Sequence, residues 1–205
     1  EGTPQGSIIS PLLSNIYLDP LDHQMSEEGF KMVRYADDFV ILCRSREEAE
    51  AALARVQKWT AAAELTLHPE KTTIVDARTD GFDFLGYHFH GEHRWPRQKS
   101  LRKLKETIRA KTRRANGHSL SQIISDLNQT LRGWFEYFKH SHRWTFSKLD
   151  SWIRMRLRSI LRKRRHGTGR GRGYDHKRWP NRYFADRGLF FLVTAHESAG
   201  QSSKR

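Results

Sequence analysis

The stretch KMVRYADDFVILCR, Lys31 to Arg44, places two adjacent carboxylates between two apolar runs. Both runs are rich in β-branched and aromatic residues, which favours two strands, and the break at Ala36, Asp37 and Asp38 favours a hairpin turn. Consecutive side chains at the tip of a hairpin can converge toward one point, although strand neighbours face opposite ways. Converging carboxylates repel each other and lose hydration unless a cation compensates. The stretch therefore indicates either a divalent-metal site or an ordinary polar turn, in which aspartate is common.

The charge of the chain is divided unevenly along its length. Residues 1–90 hold 8 Lys/Arg against 15 Asp/Glu, a balance of −7, and residues 91–205 hold 29 against 8, a balance of +21. An acidic half joined to a basic half suggests two modules, the second of which binds a polyanion. Nucleic acid is the favoured partner, and a merely solvated basic surface is the alternative.

Other features exclude some classes of protein. No run of about 18 apolar residues is present, so the sequence predicts no membrane span. Cys43 is the single cysteine, which excludes a disulfide framework or a thiolate zinc site and fits a reducing, cytoplasmic compartment. The opening EGTPQG reads as the middle of a loop, so we expect the chain to be an excerpt of a longer protein.

The acidic half alternates helical and strand signals. Ser10, followed by Pro11, predicts a helix start, and Asp19-Pro20 predicts a kink or restart. Ser45 to Glu48 form a capping box that opens a helix to about Glu64. The run LTLHPEKTTIV then reads as a loop feeding a strand, and FDFLGYHFH alternates as a further strand.

The basic half carries helical periodicity from Gln98 onward. Two long segments, SLSQIISDLNQTLRGWFEYFKH and TFSKLDSWIRMRLRSILRKRRH, each place apolar residues on one stripe. The first stripe comprises Ile124, Leu127, Leu131, Trp134, Phe135 and Phe138, and the second comprises Phe146, Leu149, Trp152, Ile153, Leu157 and Ile160. GTGRGRG, Gly167 to Gly173, reads as a flexible basic linker, and the last residues read as a disordered polar tail with one apolar patch.

Several motifs in order resemble those of reverse transcriptases. Tyr35-Ala36-Asp37-Asp38 resembles the YxDD box, and Pro4-Gln5-Gly6 resembles the PQG loop upstream of it. His68 to Thr72 and Phe84-Leu85-Gly86 resemble the following palm motif and the primer-grip turn. Leu127-Asn128 through Phe138, with Leu149-Asp150 to Arg165-His166, resembles the maturase (thumb) signature of group II intron reverse transcriptases. The resemblance covers about residues 1–166.

The resemblance implies an α+β fold in three parts: the rear of a reverse-transcriptase palm (1–95), an all-helical maturase or thumb domain (96–166), and a linker with a tail (167–205). It also implies an RNA-directed DNA polymerase that copies intron RNA and assists its splicing and retrohoming. Asp37 would coordinate catalytic Mg²⁺, for which Mn²⁺ can substitute, and Asp38 would assist. The family's further metal-binding aspartate lies upstream of the PQG loop, so the chain by itself is expected to be inactive.

Further roles follow from the same resemblance. Pro4, Gln5, Gly6, Tyr35 and Ala36 would lie at the nucleotide and template, Lys71 at the triphosphate or as proton donor to pyrophosphate, and Leu85 and Gly86 at the primer. Strand packing explains Tyr35 equally well, a solvated turn lysine is the favoured explanation of Lys71, and a plain loop before a helix is the alternative for Gln5. The phosphate-binding candidates in the basic half are Arg113, Arg114, Arg162, Lys163, Arg164 and Arg165.

The expected partners are group II intron RNA, an RNA template with its DNA primer, and deoxynucleoside triphosphates, with a homodimer left open. A non-catalytic RNA-binding splicing factor and a domesticated, non-mobile reverse transcriptase are the alternative functions. His88, His90 and His93 form an H-x-H-x-x-H pattern that would admit zinc, but no fourth ligand is obvious, and exposed histidines at a strand end are the favoured explanation. Trp144 and Trp179 are not clearly periodic, so their placement stays open.

Overall fold

The computed structural model describes residues 9–115, 117–171 and 173–202. The chain divides into two compact units that meet between Phe84 and Leu85. The first unit contains helices and a β-hairpin, and the second contains a short hairpin followed by six helices. This is the α+β class that the sequence predicts. The unit boundary falls about ten residues before the predicted domain boundary at residue 95.

The first unit begins with α1 (Ser10–Glu27), which leads into a hairpin of β1 (Lys31–Tyr35) and β2 (Asp38–Leu42). The two strands are antiparallel, with Lys31 opposite Leu42 and Tyr35 opposite Asp38. α2 (Arg46–Ala62) and β3 (Phe82–Phe84) complete the unit. Leu21 and Met25 of α1 pack with Ala52 and Val56 of α2 in a small core. The predicted hairpin is thus confirmed.

α1 differs from its prediction at both proline sites. Its N-cap is Ile9 rather than Ser10, and the helix runs through Pro20 without ending there. A proline inside a helix costs about 3 kcal/mol, because it removes one backbone hydrogen bond and crowds the preceding turn. Leu21 and Met25, both fully buried, lie just after this proline. Their burial offsets the cost and keeps the chain helical.

α2 has the predicted serine cap, but the return contact of Glu48 goes to the residue before the cap. Ser45 Oγ accepts a hydrogen bond from the Glu48 N–H at 3.2 Å, and Glu48 Oε2 accepts one from the Arg44 N–H at 2.6 Å. The helix ends at Ala62, two residues before the predicted end. The run LTLHPEKTTIV is irregular and forms no strand. Ile74 and Val75 are exposed there, so their β propensity has no apolar surface to pack on.

The second unit starts with β4 (Tyr87–His90) and β5 (His93–Pro96), which pair as an antiparallel hairpin. α3 (Gln98–Lys111), α4 (Leu120–Phe138) and α5 (Arg143–Lys163) follow as three longer helices, and α6 (Tyr174–Arg178), α7 (Asn181–Ala185) and α8 (Leu192–Ser202) complete the unit. The two predicted apolar stripes supply most of its core. Trp134 and Trp152 are partly buried at the margin of that core.

The C-terminal region is folded, contrary to the prediction of a flexible linker and a disordered tail. Trp179, Phe184, Leu189 and Leu192 are buried in the core of the second unit. Gly171 lies directly against α5: its N–H donates to Ser159 Oγ at 3.1 Å, and a Cβ at this position would lie 2.5 Å from Arg158 Cβ. The glycine therefore allows close packing of the backbone on a helix. The predicted linker is wrong because glycine spacing does not distinguish flexibility from close approach.

Candidate active-site turn and nucleic-acid interface

Ala36 and Asp37 form the two-residue turn between β1 and β2. Ala36 has a positive φ of 54°, and Asp37 does not. Positive φ at the first turn position alone is the pattern of a type II′ hairpin turn, whose twist matches that of the strands. Tyr35, Asp37 and Asp38 are all exposed at this tip. The structure therefore presents both carboxylates and the Tyr35 ring at one end of the hairpin.

Arg34 fixes this turn from the other face of β1. Its Nη1 donates to the Ala36 carbonyl at 2.8 Å and to Asn15 Oδ1 at 3.0 Å, and its Nε donates to Asp22 Oδ1 at 2.8 Å. The Nη2 of Arg34 is also paired with Asp22. The Asp22 carboxylate raises the pKa of Arg34 further above its usual value. The backbone of the turn, with its positive φ at Ala36, is thus tied to α1 by one partly buried guanidinium.

The sequence motifs do not indicate this role of Arg34. The residue lies next to the YADD box, but its partners Asn15 and Asp22 are on α1, 19 and 12 residues earlier. An arginine in a strand is usually a solvated residue, so no local signal distinguishes it. Asp22, which could otherwise act as a further metal ligand, is instead committed to Arg34.

The carboxylates of the turn fit a hard divalent cation in their chemistry, since both present oxygen ligands only. Within the described ranges, no group of three His, Cys, Asp or Glu side chains is placed to hold a metal ion. A complete site would therefore require a further ligand beyond Asp37 and Asp38. The same finding removes support for a zinc site at His88, His90 and His93. His93 instead packs its ring against Trp95 and His142.

Of the other residues predicted to act in the polymerase site, the structure describes Lys71 but not the Pro4-Gln5-Gly6 loop. Pro4, Gln5 and Gly6 lie outside the described residues. Lys71 is exposed, in a turn where its N–H and that of Thr72 donate to the His68 carbonyl at 3.2 and 3.0 Å. That placement leaves its ammonium group accessible to a ligand, and equally to solvent.

Leu85 and Gly86 form a tight turn before β4, with φ angles of 46° and 78°. The Tyr137 hydroxyl donates to the Leu85 carbonyl at 2.7 Å, and the Arg97 N–H donates to the Gly86 carbonyl at 2.8 Å. A Cβ on Gly86 would lie 3.6 Å from the Phe138 ring. The turn predicted to be the primer grip thus packs against the C-terminal end of α4, and both belong to the second unit.

The predicted phosphate-binding residues of the basic half are mostly exposed. Arg162 is an exception, because its guanidinium bonds to Asp175 Oδ2 and to the Thr168 carbonyl, both at 2.7 Å. Arg164 donates to the His118 carbonyl. These two residues hold the second unit together, so they are weaker candidates for nucleic acid. Arg113, Arg114, Lys163 and Arg165 keep their predicted role as a proposal.

A second group of arginines surrounds a cavity of about 230 Å³ between α3, α5 and the segment before α6. The cavity is lined by Arg109, Thr112, Arg114, Trp152, Met155, Arg156, Ser159 and Arg170. Arg156 donates through Nε to Thr112 Oγ1 at 2.5 Å and through Nη2 to the Thr112 carbonyl at 3.0 Å. Burial lowers the pKa of Arg156, and the guanidinium groups of Arg109 and Arg114 lower it further. The sequence does not single out Arg109, Arg156 or Arg170, because arginines of a basic segment look alike until their neighbours in the fold are known.

Comparisons with known proteins agree with this division of the chain. Residues 1–89 match the family model described as reverse transcriptase (RNA-dependent DNA polymerase), and residues 101–182 match that of the group II intron maturase-specific domain. An uncharacterized 91 kDa protein in a cob intron of Schizosaccharomyces pombe is 26% identical, over 42% of this chain and 18% of that protein. Protein YkfC of Escherichia coli is 30% identical, over 42% of this chain and 32% of YkfC. The chain thus corresponds to about a third or less of the length of these relatives.

The match of residues 1–89, a region that includes the hairpin turn with its exposed aspartate pair, indicates a protein of the reverse-transcriptase class. The match of residues 101–182 to the maturase-specific domain narrows this class to the reverse transcriptases of group II introns. The chain belongs to the family of group II intron reverse transcriptase/maturases, as the motifs in its sequence predict. None of the helices in the described ranges is long and apolar enough to cross a membrane.

Proposed function

We propose that this chain is part of the RNA-directed DNA polymerase of a group II intron, and that its basic half binds the intron RNA during splicing and retrohoming. One observation carries the proposal most strongly. Asp37 and Asp38 stand exposed at the tip of a hairpin whose turn is fixed by Arg34. Backbone held in a sparsely populated conformation, such as the positive φ of Ala36, is concentrated at functional sites, which supports a role for this turn.

Mg²⁺ is the proposed cofactor, with Mn²⁺ as a substitute, because oxygen-only donors suit such hard cations. Asp37 and Asp38 would hold the ions together with a further carboxylate, which in this family comes from a strand upstream of the PQG loop. The bound ions would activate the primer 3′-hydroxyl and neutralise charge on the leaving pyrophosphate in an in-line displacement.

The protein's own residues position the reactants. Arg34 holds the Ala36 carbonyl and so would fix the turn from which both carboxylates project. Tyr35, 67% exposed, lies beside them and would contact the primer end. Gln5, between Pro4 and Gly6, would lie at the nucleotide, and Lys71 would donate a proton to pyrophosphate. Leu85 and Gly86 would align the primer strand.

The proposed partners are the intron RNA, an RNA template paired with a DNA primer, and deoxynucleoside triphosphates. The net charge of +21 on residues 91–205 supports a polyanionic partner. A cytoplasmic ribonucleoprotein is the proposed setting, and sedimentation of the complete protein would test for a homodimer.

A primer-extension assay tests this proposal. The chain is mixed with a primed RNA template, deoxynucleotides and Mg²⁺, with and without an upstream palm segment in trans. Asp37→Asn is compared with Asp80→Asn, which changes an exposed loop aspartate away from the turn. We expect synthesis only with the segment, lost by about 10³-fold in Asp37→Asn and unchanged in Asp80→Asn. Tight, salt-sensitive RNA binding without any synthesis would instead indicate a non-catalytic RNA-binding maturase.

A further inference from the structure

One face of α5 carries aromatic and cationic side chains at regular intervals. Trp144, Lys148, Trp152 and Arg156 follow one another every four residues, so they lie on one side of the helix. A parallel row, formed by Ser147, Ser151, Met155 and Ser159, lies beside them. From Trp144 to Arg156 this face is about 18 Å long, at about 1.5 Å of rise per residue.

Two cavities lie along this face and share two of their lining residues, Trp152 and Met155. One is the arginine-lined cavity of about 230 Å³, and the other, of about 640 Å³, is lined by Arg143, Trp144, Ser147, Lys148, Ser151, Trp152, Met155 and Val193. Because they share these two residues, the cavities adjoin each other, and their combined lining is here called the α5 groove. It lies entirely within the second unit.

The charge of the α5 groove has a single sign. Neither cavity has a carboxylate among its lining residues. The two linings together contain six arginine or lysine residues. Of these, Arg143 is paired with Glu197 at 2.5 Å. Arg156 is held by oxygen atoms of Thr112, which are neutral acceptors and leave its charge uncompensated. Arg109, Arg114 and Arg170 are exposed around it. Such a cluster is complementary to a multiply charged anion.

The aromatic groups distinguish which kind of polyanion fits. Trp144 is 66% exposed at one end of the α5 groove, with the Lys148 ammonium 5.7 Å from its ring centroid. Trp152 is flanked by the guanidinium groups of Arg109 and Arg156, at 5.7 and 5.4 Å from its ring centroid. A base-paired helix offers phosphates and sugars to such a surface and keeps its bases stacked inside. An unpaired strand offers phosphates and free base faces together.

We propose that the α5 groove binds unpaired nucleotides of an RNA strand, with a backbone phosphate in the arginine-lined cavity and a base stacked on Trp144. This inference rests on the proposed RNA-binding function and adds the conformation of the RNA and the residues that recognise it. The relevant arginines are then Arg109, Arg156 and Arg170, together with Arg114 from the sequence prediction. Arg162 and Arg164 serve the fold instead.

The test uses the full chain with a fluorescein-labelled 12-nucleotide oligouridine and a 12-base-pair RNA duplex, followed by fluorescence anisotropy at several salt concentrations. Trp144→Ala is compared with Tyr174→Ala, which removes an aromatic ring that is 71% exposed on α6 and does not line the groove. We expect Trp144→Ala to weaken oligouridine binding about 10-fold and duplex binding less than 2-fold. Tyr174→Ala should change neither.

The phosphate contact is tested separately. Arg170→Gln should reduce the slope of log affinity against log salt by about 0.7 for oligouridine, which corresponds to one lost phosphate contact on a single strand. Arg182→Gln, which removes an equal charge from an exposed position on α7, should leave the slope unchanged. Thermal unfolding of each variant verifies that the fold is retained.

The possible outcomes separate the two proposals. If Trp144→Ala binds oligouridine as the unchanged protein does, or loses single strand and duplex equally, the α5 groove does not read unpaired bases. If Arg170→Gln keeps the full salt slope, no phosphate lies in the arginine-lined cavity. If the unchanged protein binds neither RNA, the RNA-binding part of the proposed function fails as well.

Discussion

The Nε of Arg34 donates to Oδ1 of Asp22 at 2.8 Å and so joins the strand that precedes the aspartate pair to the helix α1. The same guanidinium donates to the Ala36 carbonyl inside the turn. A single side chain therefore connects the helical layer of the first unit with the backbone between Tyr35 and Asp37. The position of the catalytic carboxylates in the proposed function depends on this link.

Replacing Arg34 by alanine should disorder the turn and abolish primer extension in the assay described above, while RNA binding by the basic half is retained. The partly buried ion pair would lose one partner and the Ala36 carbonyl would lose its donor, which we expect to destabilise the first unit by about 1–2 kcal/mol. Arg34→Lys should not restore activity, because an ammonium cannot reproduce the paired contacts of a guanidinium. Hydrogen exchange of residues 31–42 and extension rates measure the two effects.

Arg46→Ala is the matched control for this prediction. Arg46 also pairs with an acid, Glu50, but its side chain is 79% exposed. Exposed pairs spaced four residues apart contribute only about 0.3–0.5 kcal/mol. Equal loss of activity in Arg46→Ala and Arg34→Ala would contradict a specific role for Arg34.

Tyr137→Phe should loosen the turn at Leu85 and Gly86, because it removes the hydroxyl that donates to the Leu85 carbonyl. We expect a loss of about 1 kcal/mol in the free energy of unfolding of the second unit, measured by urea denaturation. Primer extension should slow, with a higher KM for the primed template. Tyr174→Phe, an equivalent change on α6, is the control, and a similar effect there would argue against the predicted primer-grip turn.

Gly171→Ala and Gly133→Ala should change stability in opposite directions. A Cβ on Gly171 would lie 2.5 Å from Arg158 Cβ and 3.0 Å from the Arg158 carbonyl carbon, so backbone must move. We expect a loss of about 2 kcal/mol. A Cβ on Gly133, within α4, meets nothing within 4 Å, and alanine there should gain up to about 1 kcal/mol. Thermal unfolding compares the two, and a neutral Gly171→Ala would mean that the segment is not packed on α5.

The second unit should lose stability below neutral pH through His196. Its ring lies 4.9 Å from the Phe146 ring. Burial lowers the pKa of His196, and the charge of Arg143 lowers it further. Because the folded state favours the neutral imidazole, stability is present above the ordinary pKa of about 6.5 and is lost as the pH falls through the lower folded pKa. His196→Gln should remove this part of the pH dependence in urea unfolding between pH 7.5 and 5, and an unchanged profile would contradict it.

Much of the local structure could be predicted from the sequence. The runs of β-branched and aromatic residues on both sides of Ala36 to Asp38 indicate the hairpin, and Ser45 with Glu48 three residues later indicates where α2 begins. Both depend on residues that are close in the chain, so their physics is contained in a short window. The motif order likewise indicated the family before any contact was known.

The errors occurred where distant residues decide. Asp19-Pro20 predicts a kink or a restart, but no restart occurs, because burial of Leu21 and Met25 keeps α1 helical through Pro20. GTGRGRG reads as a linker, but Gly171 packs on α5 and the residues after it enter the core. Local propensity contributes about 1–3 kcal/mol at such positions, and tertiary burial contributes a similar or greater amount.

The sequence by itself determined the fold class, the family and the presence of an exposed carboxylate pair, because these follow from periodicity, charge and short motifs. Only the tertiary structure decided which arginines stabilise the fold through an acidic partner and which line a cavity. Arg34 meets Asp22 and Asn15 across the first unit, Arg162 meets Asp175, and Arg109, Arg156 and Arg170 gather around one cavity without a carboxylate. These assignments depend on distances between residues far apart in the chain, and a guanidinium has the same chemistry at every position until the fold supplies its neighbours.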